Sequence, residues 1–373
     1  MRSDPMQRVL LTIIVLFALS LFPVPNDIFA KETAAIPLKS QQPIRGIYVK
    51  AENTGDQRFQ KLLSFVNQTE LNAMVIDVKD DYGNMTFLPP KNSPYFSISK
   101  PYIKDPKGLM DTLKTNGIFP IARIVVFKDS VLAKKSPSLT YRTSNGIWKN
   151  ARGDSFTNPF LKEVWDYNIG VAIIAANMGF KEIQFDYVRF PEKFETFEKQ
   201  LSFEQGTFPS KNGQNRIAAV SSFVKYASEK LRPYHVKVSV DVFGNATVIP
   251  EAPGIGQNFS KIAKNVDVIS AMIYPSHWTG IFGIKKPDLQ PYQLVKEYAK
   301  VEKGRLEKLS NPPISRPWLQ DFTAAWLGTG NYKVYGKKEI EDQIRGLHSQ
   351  GIHEFLLWNA SNKYTPNVDY TPY

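Results

Sequence analysis

The chain has 373 residues, 42 % of them hydrophobic and 13 % aromatic, which is ample for a buried core and allows one large α/β domain or two ordinary ones. It has no cysteine, which excludes disulfide scaffolds, cysteine-based zinc sites and thiol nucleophiles. Its net charge of +12 suits attraction to an anionic cell-wall polymer or simple solubility. Nucleic acid is not the favoured partner, because the basic residues are spread along the chain without a recognition motif.

The first element is an export signal. Arg2 and Arg8 precede an uncharged apolar run from Val9 to Phe22, and Ile28-Phe29-Ala30 follows a polar break. Residues 1–30 therefore read as a signal peptide cleaved after Ala30, residues 31–42 as a linker, and the mature protein as secreted or held at the cell surface. An uncleaved anchor is the alternative, and it would be the only membrane contact; the run is short for a full span.

From residue 43 onward eight strand candidates alternate with helix candidates. The strands fall near 44–49, 73–79, 119–126, 182–188, 236–243, 267–274, 314–320 and 353–359. The helices fall near 57–69, 106–116, 159–178, 214–231, 258–264, 290–308 and 337–350, several closed by a turn such as Asn116-Gly117 or Met178-Gly179. Eight βα repeats predict an α/β fold of the (β/α)8 TIM-barrel class over 43–373. A doubly wound open sheet is the competing architecture. It usually stops at about five or six strands and carries a glycine-rich nucleotide turn, which this chain lacks.

The loops after the strands are long, near 127–158, 189–213, 275–289 and 321–336, whereas the returns from helix to strand are short. One-sided long loops are how barrels build sites. They hold Tyr141, Trp148, Phe156, Phe194, Phe197, Phe203, Phe208, Trp278, Trp326 and Tyr332. Such rings either stack on sugars or pin the loops onto the barrel.

Two strands end in acids. In 182–188, Ile183, Phe185 and Tyr187 share one face, and Gln184 and Asp186 the other. In 236–243, four valines mark one face, and Ser239 and Asp241 the other. Neighbouring parallel strands lie about 4.8 Å apart. Asp186 and Asp241 are thus expected to share one mouth at roughly the 5–9.5 Å spacing that glycoside hydrolysis uses, with Asp186 as nucleophile or charge stabiliser and Asp241 as proton donor. Arg189 is close enough in sequence to keep Asp186 ionised. Asp77 faces inward with Val75, and the inward Arg123 needs an acid partner, for which Asp77 or Asp186 is the natural choice. The Asp77, Asp80, Asp81 group lacks the ladder of a calcium loop, and the four histidines form no ligand pair, so no metal or other cofactor is expected. Tyr274, Gln320, Asp321, Trp358 and Asn359 end the last three strands and, with Asp77, Arg123, Arg189 and Trp278, are candidate substrate contacts; Asp321 breaks the alternation of its strand.

The segments Arg45-Gly-Ile-Tyr-Val-Lys50, Val75-Ile-Asp-Val-Lys-Asp-Asp-Tyr-Gly83, Gln184-Phe-Asp-Tyr-Val-Arg-Phe-Pro191, Ser239-Val-Asp-Val-Phe-Gly244, Ile269-Ser-Ala-Met-Ile-Tyr-Pro275, Trp318-Leu-Gln-Asp-Phe322 and Leu356-Leu-Trp-Asn-Ala360 together resemble a family of secreted bacterial glycoside hydrolase domains of unknown specificity. The resemblance covers nearly all of the mature chain. It implies a TIM barrel distantly related to those of α-amylases and α-galactosidases, acting on a carbohydrate polymer. In those barrels the nucleophilic acid ends strand 4, matching Asp186. In the α-amylase barrels a glutamate ends strand 5, where this chain has the shorter Asp241, and a third acid follows strand 7, where it has Asp321. A non-catalytic barrel that binds cell-wall glycan is the alternative function.

Overall fold

A computed structural model describes residues 42–208 and 213–372. The export signal and most of the linker expected from the sequence lie outside the described residues. Eight parallel strands form a closed barrel: β1 (Arg45–Val49), β2 (Ala73–Lys79), β3 (Phe119–Val125), β4 (Glu182–Asp186), β5 (Lys237–Phe243), β6 (Val268–Met272), β7 and β8 (Phe355–Trp358). Strand β7 runs in two pieces, Ile314–Ser315 and Trp318–Gln320. The first piece pairs with β6, and the second pairs with β8 and touches β6 at Met272, so the ring closes across the break. The break falls at Arg316-Pro317; Pro317 has no N–H to give a ladder.

The returns between successive strands carry α1 (Gln57–Asn67), α2 (Pro106–Thr115), α3 (Lys162–Met178), α4 (Gln214–Leu231), α5 (Phe259–Ala263), α6 (Pro291–Leu306) and α7 (Lys337–His348), with further short helical turns in the loops. Their ends follow local chemistry. Asp56, Asp105 and Asn258 cap α1, α2 and α5 by accepting the orphan N–H of Arg58, Gly108 and Lys261. Pro106 supplies the preset φ of a first helical residue. Gly179 ends α3 at φ 113°, a left-handed conformation that costs glycine nothing.

Strand alternation sorts the side chains into two cores. Ile47, Met74, Ile76, Ala122, Ile124, Ile183, Phe185, Val238, Val240, Val242, Ile269, Leu319 and Leu357 pack outward under the helices. Ala73, Val75, Ile121, Trp318 and Leu356 fill the barrel with Tyr48. The barrel interior is partly polar. At its N-terminal end the fully buried Arg316 binds Glu182 at 2.7 and 2.8 Å and Glu354 at 2.7 Å. Higher up, Gln184 donates to Ser270. The buried guanidinium thus has a carboxylate on each side, the condition under which such a charge is tolerated.

Candidate active site at the carboxyl ends of the strands

The first residue of the site is Arg123, which β3 points into the barrel and which is 1 % exposed. Its Nη1 donates to Asp77 at 2.7 Å and to Asp81 at 3.2 Å, and its Nε and Nη2 donate to Asp186 Oδ2 at 3.0 and 2.6 Å. Burial opposes the positive charge, but the charges of Asp81, Asp186 and Asp77 more than offset it and hold the guanidinium protonated. Its flat faces lie against aromatic rings, 5.6 Å from the Tyr48 centroid and 5.5 Å from that of Trp358. Both acids named from the sequence as natural partners of Arg123 are bound to it.

Asp77 stays beneath this arginine. It accepts a 2.5 Å bond from the Tyr48 hydroxyl, and burial raises its pKa to about 6 against the pull of Arg123. Asp81 is half-buried, and the charges of Arg123 and Lys128 outweigh its desolvation and lower its pKa. Asp80 turns away and accepts the backbone N–H groups of Tyr82, Gly83 and Asn84. The three acids of this segment therefore serve three different purposes. Among the described residues no group of three histidines or acids is arranged to hold a metal ion.

Asp186 ends β4. Its Oδ2 is taken by Arg123, and its Oδ1 accepts the N–H of the next residue, Tyr187, at 2.6 Å. Tyr187 sits at φ 51°, a conformation a bulky residue adopts only where its surroundings compel it. Here its ring is held between two cations, 4.8 Å from Lys128 and 4.8 Å from Arg189. The kink ends the strand and turns the backbone N–H back onto the carboxylate.

Asp241 lies one strand over. Phe185 pairs with Val240, so Asp186 and Asp241 are the next in-register neighbours on β4 and β5. Asp241 Oδ1 accepts a 2.9 Å bond from the Trp318 indole N–H. Burial, and then the negative charge of Asp186, push its pKa well above the usual carboxylate range; the Trp318 bond and Arg123 pull the other way. The two acids are thus differentiated by their surroundings: one is clamped by a cation, the other is held towards its protonated form.

Both acids line a cavity of about 680 Å³ at the carboxyl ends of the strands. Arg123, Arg189, Tyr274, Trp278 and Trp358, all named from the sequence, line it too. So do Asp81, Arg152, Tyr187, Glu192, Phe243, Asn245, His277 and Trp318, which the sequence reading did not single out as substrate contacts. Trp318 had a signal, since it alternates with Gln320 on the inward face of β7. Arg152 comes from a loop, and Asn245 and His277 come from short helical turns just past the strand ends, where strand alternation no longer marks direction.

Four expectations are corrected. Arg189 makes no ion pair with Asp186; its Nη2 reaches Glu192 at 3.3 Å and its guanidinium lies 4.5 Å from the Phe243 ring centroid. Gln320 is fully buried and consumed by the fold, accepting from the Ser276 N–H and donating to Asp288 and the Phe322 carbonyl. Asp321 faces away from the cavity and holds the C-terminal segment through the Thr365 N–H and hydroxyl at 3.1 and 2.7 Å; burial raises its pKa to about 6. Asn359 is a strap between the carbonyls of Asp321 and Lys363. The loop aromatics divide as well. Tyr141, Trp148, Phe156, Phe194, Phe197 and Phe203 are joined ring to ring as a small core beneath two loops, and Phe208 joins it through Phe160. Trp278 faces the cavity, and Trp326 is exposed.

The chain belongs to the family described as "Putative glycosyl hydrolase domain", whose model matches residues 46–364. Among solved structures it is similar to the glycoside hydrolase domain of PgaB (BpsB) from Bordetella bronchiseptica, with 15 % identity over 86 % of this chain and 95 % of that one and a TM-score of 0.60. It is also similar to a β-galactosidase from Marinomonas ef1, with 13 % identity over 85 % of this chain and 54 % of that one and a TM-score of 0.56. A hypothetical protein from Ruminiclostridium thermocellum shares 33 % identity over 52 % of this chain and 97 % of its own, with a TM-score of 0.46. No curated protein matches the chain. At such low identity the first two likenesses establish the barrel fold.

Proposed function

We propose that the protein is an exported glycoside hydrolase acting on a cell-surface or environmental polysaccharide, with Asp186 and Asp241 as its catalytic pair. The observation that carries this reading is the pair itself: two in-register carboxylates in one aromatic-walled cavity, with a cation on one and a raised pKa on the other. Asp186, with Oδ2 anchored, presents Oδ1 to the anomeric carbon. Asp241 gives its proton to the glycosidic oxygen as that bond breaks. The route we propose for this pair is double displacement. Water then attacks the glycosyl ester, Asp241 takes a proton from it, and Asp186 leaves with its electron pair, giving a product that retains its anomeric configuration. Arg123 disperses the charge that Asp186 recovers.

The test is a hydrolysis screen of the purified protein against a glycan panel, with reducing ends measured and the product anomer followed by NMR. Asp186→Asn should cut turnover by several orders of magnitude with folding and glycan affinity nearly unchanged, because its charge matters chiefly in the transition state. Asp241→Asn should hurt most on substrates with poor leaving groups. Glycan binding with no bond cleavage by the wild type would assign the barrel as a binding module instead. Export rests on Arg2, Arg8 and the apolar run to Phe22. N-terminal sequencing of extracellular protein should begin at Lys31; native protein in the cytoplasm with Met1 intact would refute it.

A further inference from the structure

The cavity opens beside an aromatic surface that the proposed chemistry does not use. His277 and Tyr274 line the cavity on the β6 side. Tyr274 packs edge-on against Phe322, with centroids 5.9 Å apart, and His277 packs against both Phe322 and Trp326 at 6.3 and 6.4 Å. Phe322 in turn stacks beneath Trp326 at 5.8 Å and 24°. A continuous row of rings thus runs from the cavity wall to the surface and ends in Trp326, which is 66 % exposed.

An exposed indole is the largest apolar side chain a protein can leave in water, and this one is held in place. Trp326 sits in the turn Ala325–Leu327. The following backbone takes left-handed conformations at Gly328 and Gly330, and the Gly330 carbonyl accepts a 2.8 Å bond from Lys286 on the β6 loop. Asn331 donates back to the Leu327 carbonyl, and the Tyr335 N–H donates to Thr323 across the base of the loop. A ring fixed on such a base and stacked on Phe322 loses little entropy when a ligand covers its free face. A flat apolar face beside a polar cavity matches the C–H face of a pyranose ring.

We propose that Trp326 is a sugar-stacking platform outside the catalytic cavity, so that the substrate is a polymeric glycan gripped at a point remote from the bond being cut. This rests on the reading of the cavity as a glycosidase site. It makes the enzyme selective for chain length: a short glycoside fills the cavity alone, whereas a polymer reaches Trp326 as well.

The experiment uses the full chain and a panel of laminarin, xylan, galactan, polygalacturonate and glycol chitin, the matching oligosaccharide ladders and the matching aryl monoglycosides. Binding is measured by affinity electrophoresis in the Asp186→Asn background, and hydrolysis in the active protein. Trp326→Ala should weaken polymer binding roughly tenfold and lower kcat/KM on long chains by a similar factor, while leaving the aryl glycoside rate unchanged. Trp326→Phe should restore much of the loss. Leu88→Ala, at another exposed apolar residue, should change nothing. Equal rates for wild type and Trp326→Ala on both polymer and aryl glycoside would overturn the platform and leave the hydrolase reading standing. Polymer binding that depends on Trp326, without hydrolysis of any panel member, would keep the platform and remove the hydrolase. No binding to any panel polymer would overturn the platform.

Discussion

Replacing Arg123 with methionine tests the electrostatic centre of the site without requiring a substrate. Methionine keeps an unbranched apolar stem but removes the cation that three carboxylates share, at 2.6 Å to Asp186, 2.7 Å to Asp77 and 3.2 Å to Asp81. Removing one partner of a buried ion pair costs about 3–5 kcal/mol, because the remaining charge is left without compensation. Here two of the three acids are almost fully buried, so the loss at pH 8 should lie in that range. The acids can escape the penalty by taking up protons. Asp77 already has a folded pKa of about 6, above its unfolded value, so its protonation favours the fold at low pH and that contribution is lost as pH rises through 6. Without Arg123 this folded pKa moves higher still. The destabilisation of Arg123→Met should therefore shrink between pH 8 and pH 5. Urea unfolding, followed by far-UV circular dichroism at both pH values, reads the difference. A loss below about 1 kcal/mol, equal at both pH values, would show that Arg123 is not the counter-ion of the group.

Three further outcomes follow from named contacts. Trp318→Phe removes the hydrogen bond that favours the ionised form of Asp241, so the alkaline limb of kcat/KM should move up by about one pH unit; an unmoved limb would mean another group supplies the proton. Glu302, fully buried beside Ser315, has a pKa raised by burial from 4.5 to about 7, so its contribution is fully present below pH 4.5 and is lost as pH rises through 7. Glu302→Gln should accordingly stabilise the protein by about 3 kcal/mol at pH 8.5 and hardly at all at pH 4.5, read from urea midpoints; equal midpoints at pH 8.5 would refute it. Gly244 lines the cavity, and a Cβ there would meet the Met272 carbonyl oxygen and the Trp278 ring, both at 2.6 Å. Gly244→Ala should cost about 1–3 kcal/mol and alter the near-UV signal of Trp278; an unchanged melting temperature would show that the ring moves freely.

The barrel and its central acids were legible because strand alternation is a local rule with a global result. Once Ile183 and Phe185 must face the helices, Gln184 and Asp186 must face the axis, and the same parity fixes Asp77, Arg123 and Asp241. Register between neighbouring strands then brings these polar ends together. Periodicity stops where the strands stop. Arg189 turned to Glu192, and Asp321 and Asn359 became anchors of the C-terminal segment, because their directions depend on loop backbone that no alternation governs. Gln320 does lie on a strand, but it was claimed by Ser276, Asp288 and Phe322 from other parts of the chain. The loop aromatics were read as one class, and tertiary packing divided them: those of the β3 and β4 loops met one another and made a core, while Trp326 was left facing solvent. The amino-acid sequence by itself determined which residues enter the barrel. Only the tertiary structure decided which of them find partners there and which remain available, because pairing depends on residues far apart in the chain arriving within bonding distance.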